Sequence, residues 1–485
     1  MIVPTYQGLP LFAGLCSPQE ALKDGFSVEE CVRRLKRYHY AFRRLHQILA
    51  HHITAEPIYE LKMIYSHHAH LCAEHASALR ARVAEMREPP LGLEQIPDPN
   101  LEIFFDEILA ASDSLVLVTG TYGKAVPALQ KALEEHIATT NPLADAPSVR
   151  ICRFALLELS DMAAVGQEAI AALQESAAGV EQHRTGVGTF ESEGDFQSWI
   201  IYLDDLLHAA GGLDGVAGPQ KSTPPRRQSA KPYTYDPVPR RDERFQDPYN
   251  MGVNAEAFLY DPRYPARAKI LMLYYKRLRE IDVPEMMASI LAETQDKPWE
   301  YMRDLSRQLW DEARHAMMGE AGFQSQELDW AALTRINFTW SLALNTQLQP
   351  WERHAVLYFI EQGLMPRTGK RFEWEIAGQS GDRLAKLFQD YDWADEVLHA
   401  HIGQEWYVSA MPSRAEALKY GDKCWSKVFM NYSDWRDKGL TQHENWWPGL
   451  YLAACQKWGE PPDPQVLAFQ ETYETKRADL KEVNG

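Results

Sequence analysis

Two short motifs of the form Glu-x-x-His place the strongest constraint on how this chain can fold. The first lies in Asp-Glu-Ala-Arg-His at residues 311–315, and the second lies in Asp-Glu-Val-Leu-His at residues 395–399. On an α-helix, residues three positions apart project from one face, so each motif can offer a carboxylate oxygen and an imidazole nitrogen to the same cation. The pair predicts two helices that hold two metal ions, with these ligands: Glu312, His315, Glu396 and His399.

A four-helix bundle that holds two ions needs one further glutamate from each of the two remaining helices. Glu285 is the upstream candidate, and a predicted break at Asp-Lys-Pro, residues 296–298, separates it from the first motif. If the chain reverses at this break, Glu285 and Glu312 lie about 18 and 22 Å from the turn at 1.5 Å per residue. We therefore expect them to face each other, whereas Glu280 and Glu293 lie off that level.

Glu361 is the candidate between the two motifs. It follows the apolar run 355–360 and precedes a predicted helix end at Gly363 and Pro366. A carboxylate in such an apolar run needs a partner, and a metal ion would provide one.

A single Glu-x-x-His on a helix is usually a solvent-exposed pair of side chains and not a metal site. Here two motifs occur, each with an aspartate directly before the glutamate. Each is also separated by a plausible hairpin from a glutamate that we expect to be buried. This joint occurrence favours a metal centre over two unrelated surface pairs.

The ligand order resembles that of the ferritin-like di-metal carboxylate superfamily, which includes ribonucleotide reductase small subunits, acyl-carrier desaturases and bacterial monooxygenases. More narrowly, Pro-Trp-Glu at 298–300, Glu-Gln-Gly-Leu at 361–364, and Gly403 with Trp406 resemble a poorly characterised ferritin-like family related to a tRNA hydroxylase. The resemblance covers about residues 265–410. It includes the six ligand positions Glu285, Glu312, His315, Glu361, Glu396 and His399.

The resemblance also implies roles for residues next to the ligands. In the family, the residue before each motif glutamate accepts a hydrogen bond from the histidine of the other motif. Asp311 is therefore expected to orient His399, and Asp395 to orient His315. Arg314 either balances the charge of these aspartates or forms an ordinary ion pair.

Four carboxylates and two neutral imidazoles match the charge of two divalent ions, and ligands without thiolate suit iron or manganese. The resemblance implies two iron ions, or manganese or a mixed pair, with O2 as co-substrate. It also implies a small organic substrate and an external electron donor, either a ferredoxin or a flavin reductase. Trp310, Tyr358 and Trp393 could line an apolar substrate pocket, although such residues serve equally well as ordinary core.

Composition restricts the class of protein. The chain has 485 residues, of which 45% are hydrophobic and 24% charged, and a formal net charge of −18. This charge repels phosphate backbones and argues against a nucleic-acid substrate. The N-terminus lacks the features of a signal peptide, and we find no long apolar run, so we expect a cytoplasmic protein. The six scattered cysteines favour free thiols.

We expect an all-α fold with two helical bundles. Capping and breaking residues predict four helical segments in the first half, near 27–49, 57–86, 101–139 and 148–209. Tryptophans are frequent after the second motif, where the chain either packs on the bundle or forms a homodimer interface. The predicted domains are a helical domain at 1–212, a Pro-rich linker at 213–250, a ferritin-like four-helix bundle with the di-metal centre at 251–410, and a Trp-rich helical extension at 411–485.

The first half can be overlaid on the second as an internal repeat. His75 then falls where His315 lies, while Cys72 replaces Glu312. We interpret the first half as a degenerate ferritin-like bundle that has lost its metal ligands.

A histidine-rich helix in the first half offers a competing metal site. His67, His70 and Glu74 share one predicted helical face. Because no second helix supplies an obvious carboxylate, neutral packing roles are the favoured interpretation.

Three functions are compatible with the sequence. The favoured one is an O2-activating di-iron oxidase or oxygenase. The second is a ferroxidase or metal-storage protein, although storage ferritins are much shorter chains. The third is a non-catalytic scaffold in which the metal ions only stiffen the bundle.

Overall fold

All regular secondary structure in the described part of the chain is helical. The computed structural model describes residues 5–86, 92–180, 193–218, 220, 223–294, 296–365, 369–428 and 432–473, and none of these residues forms a β-strand. This confirms the predicted all-α class. Within these ranges, no helix combines the length and the apolar character that crossing a bilayer requires. All six cysteines are free, and each except Cys16 is buried.

The chain divides into two compact units. The first unit comprises Met1–Leu49 and His68–Thr234, and the second comprises Ala50–His67 and Tyr235–Gly485. The division differs from the predicted domains, because residues 50–67 belong with the C-terminal half. The predicted linker 213–250 is also not a separate segment, since it is divided between the two units after Thr234.

The first unit is built mainly from long helices whose ends agree with the predicted capping and breaking residues. Ser27 accepts a hydrogen bond from the backbone N–H of Glu30, as expected of a helix N-cap. A single π-helical turn at Thr121–Ala125 interrupts the segment predicted as helical near 101–139; Gly120 precedes this turn and Gly123 lies inside it. The helices are α1 Pro18–Ala21, α2 Val28–His52, α3 Tyr59–Glu85, α4 Pro99–Leu109, α5 Ser114–Gly120, α6 Val126–Thr139, α7 Ala146–Val180 and α8 Glu193–Ala209; residues 50–67 of α2, the turn and α3 belong to the second unit.

The second unit contains the remaining helices. They are α9 Ala255–Tyr260, α10 Ala266–Arg279, α11 Asp282–Glu293, α12 Trp299–Ser325, α13 Trp330–Leu333, α14 Thr339–Gln347, α15 Pro350–Leu364, α16 Lys370–Ser380, α17 Arg383–Trp406, α18 Arg414–Lys427, α19 Tyr432–Asp437, α20 Trp447–Trp458 and α21 Pro464–Leu467. The predicted break at 296–298 separates α11 from α12. Helix α15 ends at Leu364, near the predicted stop, whereas Pro366 lies outside the described residues.

The Trp-rich C-terminal region is part of the core of the second unit and not an appended extension. Trp447 is fully buried, and its ring centroid lies 4.5 Å from that of Phe258. Trp446 packs on Tyr275 of α10 at 4.4 Å. The structure therefore confirms the expectation that this region packs on the bundle helices, because its aromatic rings complete their apolar core.

Helices α12 and α17 carry the two motifs and pack against each other, with α10 beside α12 and α15 beside α17. Local sequence determines where these helices begin. Pro298 directly precedes α12, and Pro350 occupies the first turn of α15. Asp382 caps α17 by accepting hydrogen bonds from the backbone N–H groups of Leu384 and Ala385. The two motifs consequently lie inside long helices.

Candidate metal centre

The two motifs face each other across α12 and α17. Glu312 and His315 project from α12, and Glu396 and His399 project from α17; all four are buried. The ring centroids of the two histidines are 6.0 Å apart. The predicted meeting of the motifs is present in the structure.

One group of potential ligand atoms surrounds His399. Its Nδ1 atom lies 3.2 Å from a Glu312 oxygen, 3.6 Å from a Glu396 oxygen and 3.9 Å from a Glu361 oxygen. These four residues each place a ligand atom within 4.8 Å of the others. We call this group the His399 position.

A second group surrounds His315, and we call it the His315 position. The Nδ1 atom of His315 lies 3.6 Å from Glu280, 3.6 Å from Glu312 and 3.5 Å from Asp392. Glu312 directs Oε1 towards His399 and Oε2 towards His315, so it lies between the two positions. Glu396 also belongs to both groups.

Glu285, predicted as a ligand, does not reach either position. Its carboxylate is completely buried and forms ion pairs with Lys62 and Arg241 and a hydrogen bond with Ser341. Two cationic side chains therefore already neutralise the Glu285 carboxylate, and these buried ion pairs fix its position away from the cluster. The prediction that Glu285 joins the cluster is therefore wrong, and Glu280 lies beside His315 in its place.

The chain does turn at residues 296–298 and α11 does pack against α12, but Glu285 lies in the first turn of α11 and its carboxylate faces Lys62 and Arg241. Glu280 directly follows α10, which also packs against α12, and its carboxylate reaches His315. Pro284, in the first turn of α11, signals the start of a new helix. From this proline, the sequence could have predicted that Glu280 lies at the end of the preceding helix.

The aspartates before each motif lie behind the histidines, and the predicted hydrogen bond is present for His315 with Asp395, whereas His399 and Asp311 are in contact without one. The Nε2 atom of His315 is 3.2 Å from Asp395, and that of His399 is 3.5 Å from Asp311. Arg314 forms ion pairs with both aspartates, and its distance to Asp395 is 2.8 Å. Arg314 thus links the two acids and neutralises part of their charge.

Burial and neighbouring charges shift the pKa values of these groups in opposite directions. Burial raises the pKa of Asp311, but contacts with His399, Arg307 and Arg314 outweigh burial and leave it below its ordinary value. Burial likewise lowers the pKa of His399, yet the surrounding carboxylates raise it well above the ordinary value. Glu361 is different, because burial and the nearby Glu396 both raise its pKa well above the usual range. The pKa shifts of His399 and Glu361 share one cause, which is that several carboxylates are crowded together in a buried site.

Three residues near the cluster were not predicted from the sequence. Lys370 donates to Glu396 at 2.7 Å and to Asp392 at 2.8 Å. Arg277 pairs with Asp392 and, at 2.8 Å, with Glu280. Lys370 lies on α16, Asp392 on α17 and Arg277 near the end of α10. All three are outside both motifs, so motif spacing alone does not predict them.

The geometry fits metal ions. Within the described residues, the Nδ1 atoms of His315 and His399 and the Oε2 atoms of Glu280 and Glu396 are buried without hydrogen-bond partners. Buried polar atoms of this kind are costly unless something binds them. Each histidine directs Nδ1 towards glutamates and Nε2 towards an aspartate, an arrangement in which the carboxylate behind the ring orients a metal ligand.

The three aromatic residues predicted to line a pocket lie in separate contacts. Trp310 stacks on His67, with ring centroids 4.3 Å apart. Tyr358 packs on Tyr407 at 5.5 Å, and Trp393 lies 6.1 Å from Trp374. A cavity of about 340 Å³ is lined by different residues: Glu293, Thr294, Asp296, Lys297, Tyr301, Gln349, Pro350, Trp351 and Ala410.

The histidine-rich face of α3 does not contribute to the groups of potential ligands found in the described ranges. These groups contain none of His67, His70 and Glu74. In the first unit, Cys31, His136 and Asp145 do come together, but Asp145 also pairs with Arg82 at 3.2 Å. The carboxylate there is already neutralised by a cationic side chain.

Comparison with known proteins adds no assignment: no protein family, curated protein or solved structure matches this chain.

Proposed function

We propose that the buried cluster binds metal ions and that the protein is an O2-activating oxidase or oxygenase of the ferritin-like di-iron type, acting on a small organic substrate. The proposed ligands are Glu280, Glu312, His315, Glu361, Glu396 and His399, with Asp392 beside the His315 position. The ligand order along the chain is the one that led to the resemblance, with Glu280 in place of Glu285.

The observation that carries the proposal is the position of Glu312 between the two histidines. One of its oxygens faces Nδ1 of His399 and the other faces Nδ1 of His315, at 3.2 and 3.6 Å. A carboxylate in this position can share its oxygens between two cations. Ordinary core packing supplies no reason to bury two imidazoles around an acid and leave their Nδ1 atoms unpaired.

The ligand set favours iron or manganese. It combines carboxylate oxygens with imidazole nitrogens and contains no thiolate, which suits these metals better than softer ions. Bound iron would supply electrons to O2, and a ferredoxin or a flavin reductase would return them. The protein's own contribution would be to bury the site, so that water is excluded, and to orient both histidines through Asp311 and Asp395.

Anaerobic addition of Fe²⁺ to metal-free protein, followed by exposure to O2, tests the proposal. We expect no more than about two iron ions per chain, measured by elemental analysis after desalting. We also expect O2 consumption in amounts comparable to the bound iron and a transient absorbance change in stopped flow. His399→Ala should abolish the O2-dependent signal and most of the iron binding, whereas His401→Ala, on the same helix, serves as the control.

Other outcomes would contradict the proposal in distinct ways. Continuous uptake of many irons per chain would indicate storage. Tightly bound metal that does not react with O2 would indicate a structural role. Iron binding by His399→Ala at the wild-type level would show that the cluster is not the site.

A further inference from the structure

A buried lysine distinguishes the two halves of the proposed metal centre. Lys370 is the first residue of α16, and its side chain is 1% exposed. Its Nζ atom lies 2.7 Å from Glu396, 2.8 Å from Asp392 and 3.9 Å from Glu280. All three carboxylates belong to the groups around His315.

The His399 position shares Glu396 with the His315 position, but its other carboxylates have different partners. There, Glu361 accepts a hydrogen bond from the neutral side chain of Gln308 at 3.1 Å. Glu312 contacts the two histidines. Lys370 thus contacts three carboxylates of the His315 position but reaches the His399 position only through Glu396, which the two positions share. Arg277 also pairs with carboxylates of the His315 position, namely Asp392 and Glu280.

We infer that the Lys370 ammonium group occupies the place of a cation at the His315 position, so that the chain binds one divalent ion tightly at the His399 position and a second only in competition with Lys370. The inference rests on the proposed metal function and adds an order of binding to it. An ion bound to Glu396 and Asp392 would lie next to the ammonium group, and like charges so close together in a buried site repel strongly. Lys370 would have to withdraw before the second ion binds.

The unpaired atoms of both histidines support a ligand at each position. Nδ1 of His315 and Nδ1 of His399 are buried and aimed at carboxylates, and neither has a hydrogen-bond partner among the described residues. The ammonium group neutralises the carboxylates around His315, but it cannot accept a hydrogen bond from the imidazole or donate one to a protonated nitrogen. The His315 position therefore retains one metal-ligating atom that Lys370 leaves unused.

Titration of the full-length metal-free protein with Mn²⁺ alone tests this inference without using activity. We expect wild-type protein to bind one Mn²⁺ tightly, with the electron paramagnetic resonance spectrum of an isolated ion. Lys370→Met should bind a second Mn²⁺ at least tenfold more tightly than wild type does, and its spectrum at two equivalents should show an exchange-coupled pair. Lys370→Arg, which keeps the charge, should resemble wild type.

Lys276→Met is the matched control. Lys276 is another buried lysine of the same region, but its partner is Glu373, which is not among the proposed ligands. This variant should bind Mn²⁺ as wild type does, and circular dichroism should confirm that each variant is folded.

The possible failures are distinguishable. Two equivalent Mn²⁺ ions in the wild-type protein, with a coupled spectrum, would overturn the inference and leave the proposed function in place; this result needs no variant. An unchanged titration of folded Lys370→Met would also overturn it. No Mn²⁺ binding by either protein would overturn both the inference and the proposed metal function.

Discussion

At the scale of single residues, the partner of a buried carboxylate decides what it can do. Glu280 and Glu285 are five positions apart and carry the same side chain, yet of the two only Glu280 lies within 3.6 Å of a motif histidine. Glu285 is neutralised by Lys62 and Arg241, which leaves it little tendency to bind a metal ion. Glu280 pairs with Arg277 through one oxygen, and its other oxygen has no hydrogen-bond partner in the described part of the chain.

Substitution of these two glutamates should have opposite consequences. Glu280→Ala is expected to weaken binding of the second metal ion by at least roughly 10–100-fold. That is the loss of metal affinity caused by removing a residue that only orients a ligand. Glu285→Ala should leave metal binding intact but lower the free energy of unfolding by about 3–5 kcal/mol. The reason is that the buried Lys62 loses its pairing with Glu285, and Arg241 keeps Asp282 but loses its other carboxylate partner. Mn²⁺ titration and urea denaturation measure the two effects. Equal loss of metal in both variants would restore Glu285 as a ligand.

Glu373 shows how such pairing affects stability as a function of pH. Burial raises its pKa, but Lys276, Arg277 and Lys370 outweigh burial and lower the pKa from 4.5 to about 2. Its ionised form is thus stabilised in the folded protein, so its contribution is fully present above pH 4.5 and is lost as pH falls towards 2.

Glu373→Gln should therefore lower the free energy of unfolding by about 3 kcal/mol at neutral pH. The difference from wild type should shrink as pH falls through the range from 4.5 to about 2. Urea denaturation at a series of pH values measures this. Glu375→Gln, on the same helix at a half-exposed position, is the control and should change little. A difference that does not depend on pH would show that Glu373 contributes through packing alone.

At the scale of elements, α12 and α17 are joined by reciprocal contacts. Each helix supplies a histidine that faces the cluster and an aspartate that lies behind the histidine of the other helix. Arg314 of α12 bridges both aspartates. The orientation of each imidazole consequently depends on the partner helix, and the two helices must keep their register for the cluster to form.

Asp311→Asn should disturb this arrangement without removing a ligand. An amide is neutral and orients the His399 ring less strongly than a carboxylate, so we expect metal affinity to fall about 10–100-fold. Asp304→Asn is a matched control on the same helix, because Asp304 pairs with Arg303 and Trp406 and not with a motif histidine. Equilibrium dialysis with Mn²⁺ measures both. Identical affinities in Asp311→Asn and wild type would remove the orienting role.

At the scale of the whole molecule, segments distant in sequence complete the second unit. Residues 50–67 contribute Lys62, whose ammonium group pairs with Glu285 inside that unit. The C-terminal region contributes Trp447, whose indole N–H donates to the backbone carbonyl of Val466 at 2.8 Å. Both segments therefore contribute fully buried side chains to the second unit.

Trp447→Ala tests whether the C-terminal region is integral to this unit. Removal of a fully buried indole should lower the free energy of unfolding by about 3–5 kcal/mol. Leu452→Ala, on the same helix but 47% exposed, should have a small effect. Urea denaturation followed by circular dichroism measures both. A loss below about 1 kcal/mol for Trp447→Ala would indicate that the region is an appended extension after all.

Local sequence patterns predicted the helical class, several helix ends and most residues of the cluster. Glu312 and His315 share a helix face because of their three-residue spacing, and the same holds for Glu396 and His399. Capping by Ser27 and the break before α12 also depend only on neighbouring residues. Such features follow from helical periodicity and backbone hydrogen bonding, which act over one or two turns.

Tertiary structure alone decided which of two nearby glutamates joins the cluster, and that Lys370 and Asp392 lie beside it. It also decided that residues 50–67 and the C-terminal region complete the second unit. The physical reason is that a buried charge is governed by its nearest partners, and here those partners come from distant parts of the chain: Lys62 lies 223 residues from Glu285, and Arg277 lies 115 residues from Asp392. Helical periodicity determines the face on which a side chain lies, but packing of whole helices determines the side chains that meet it.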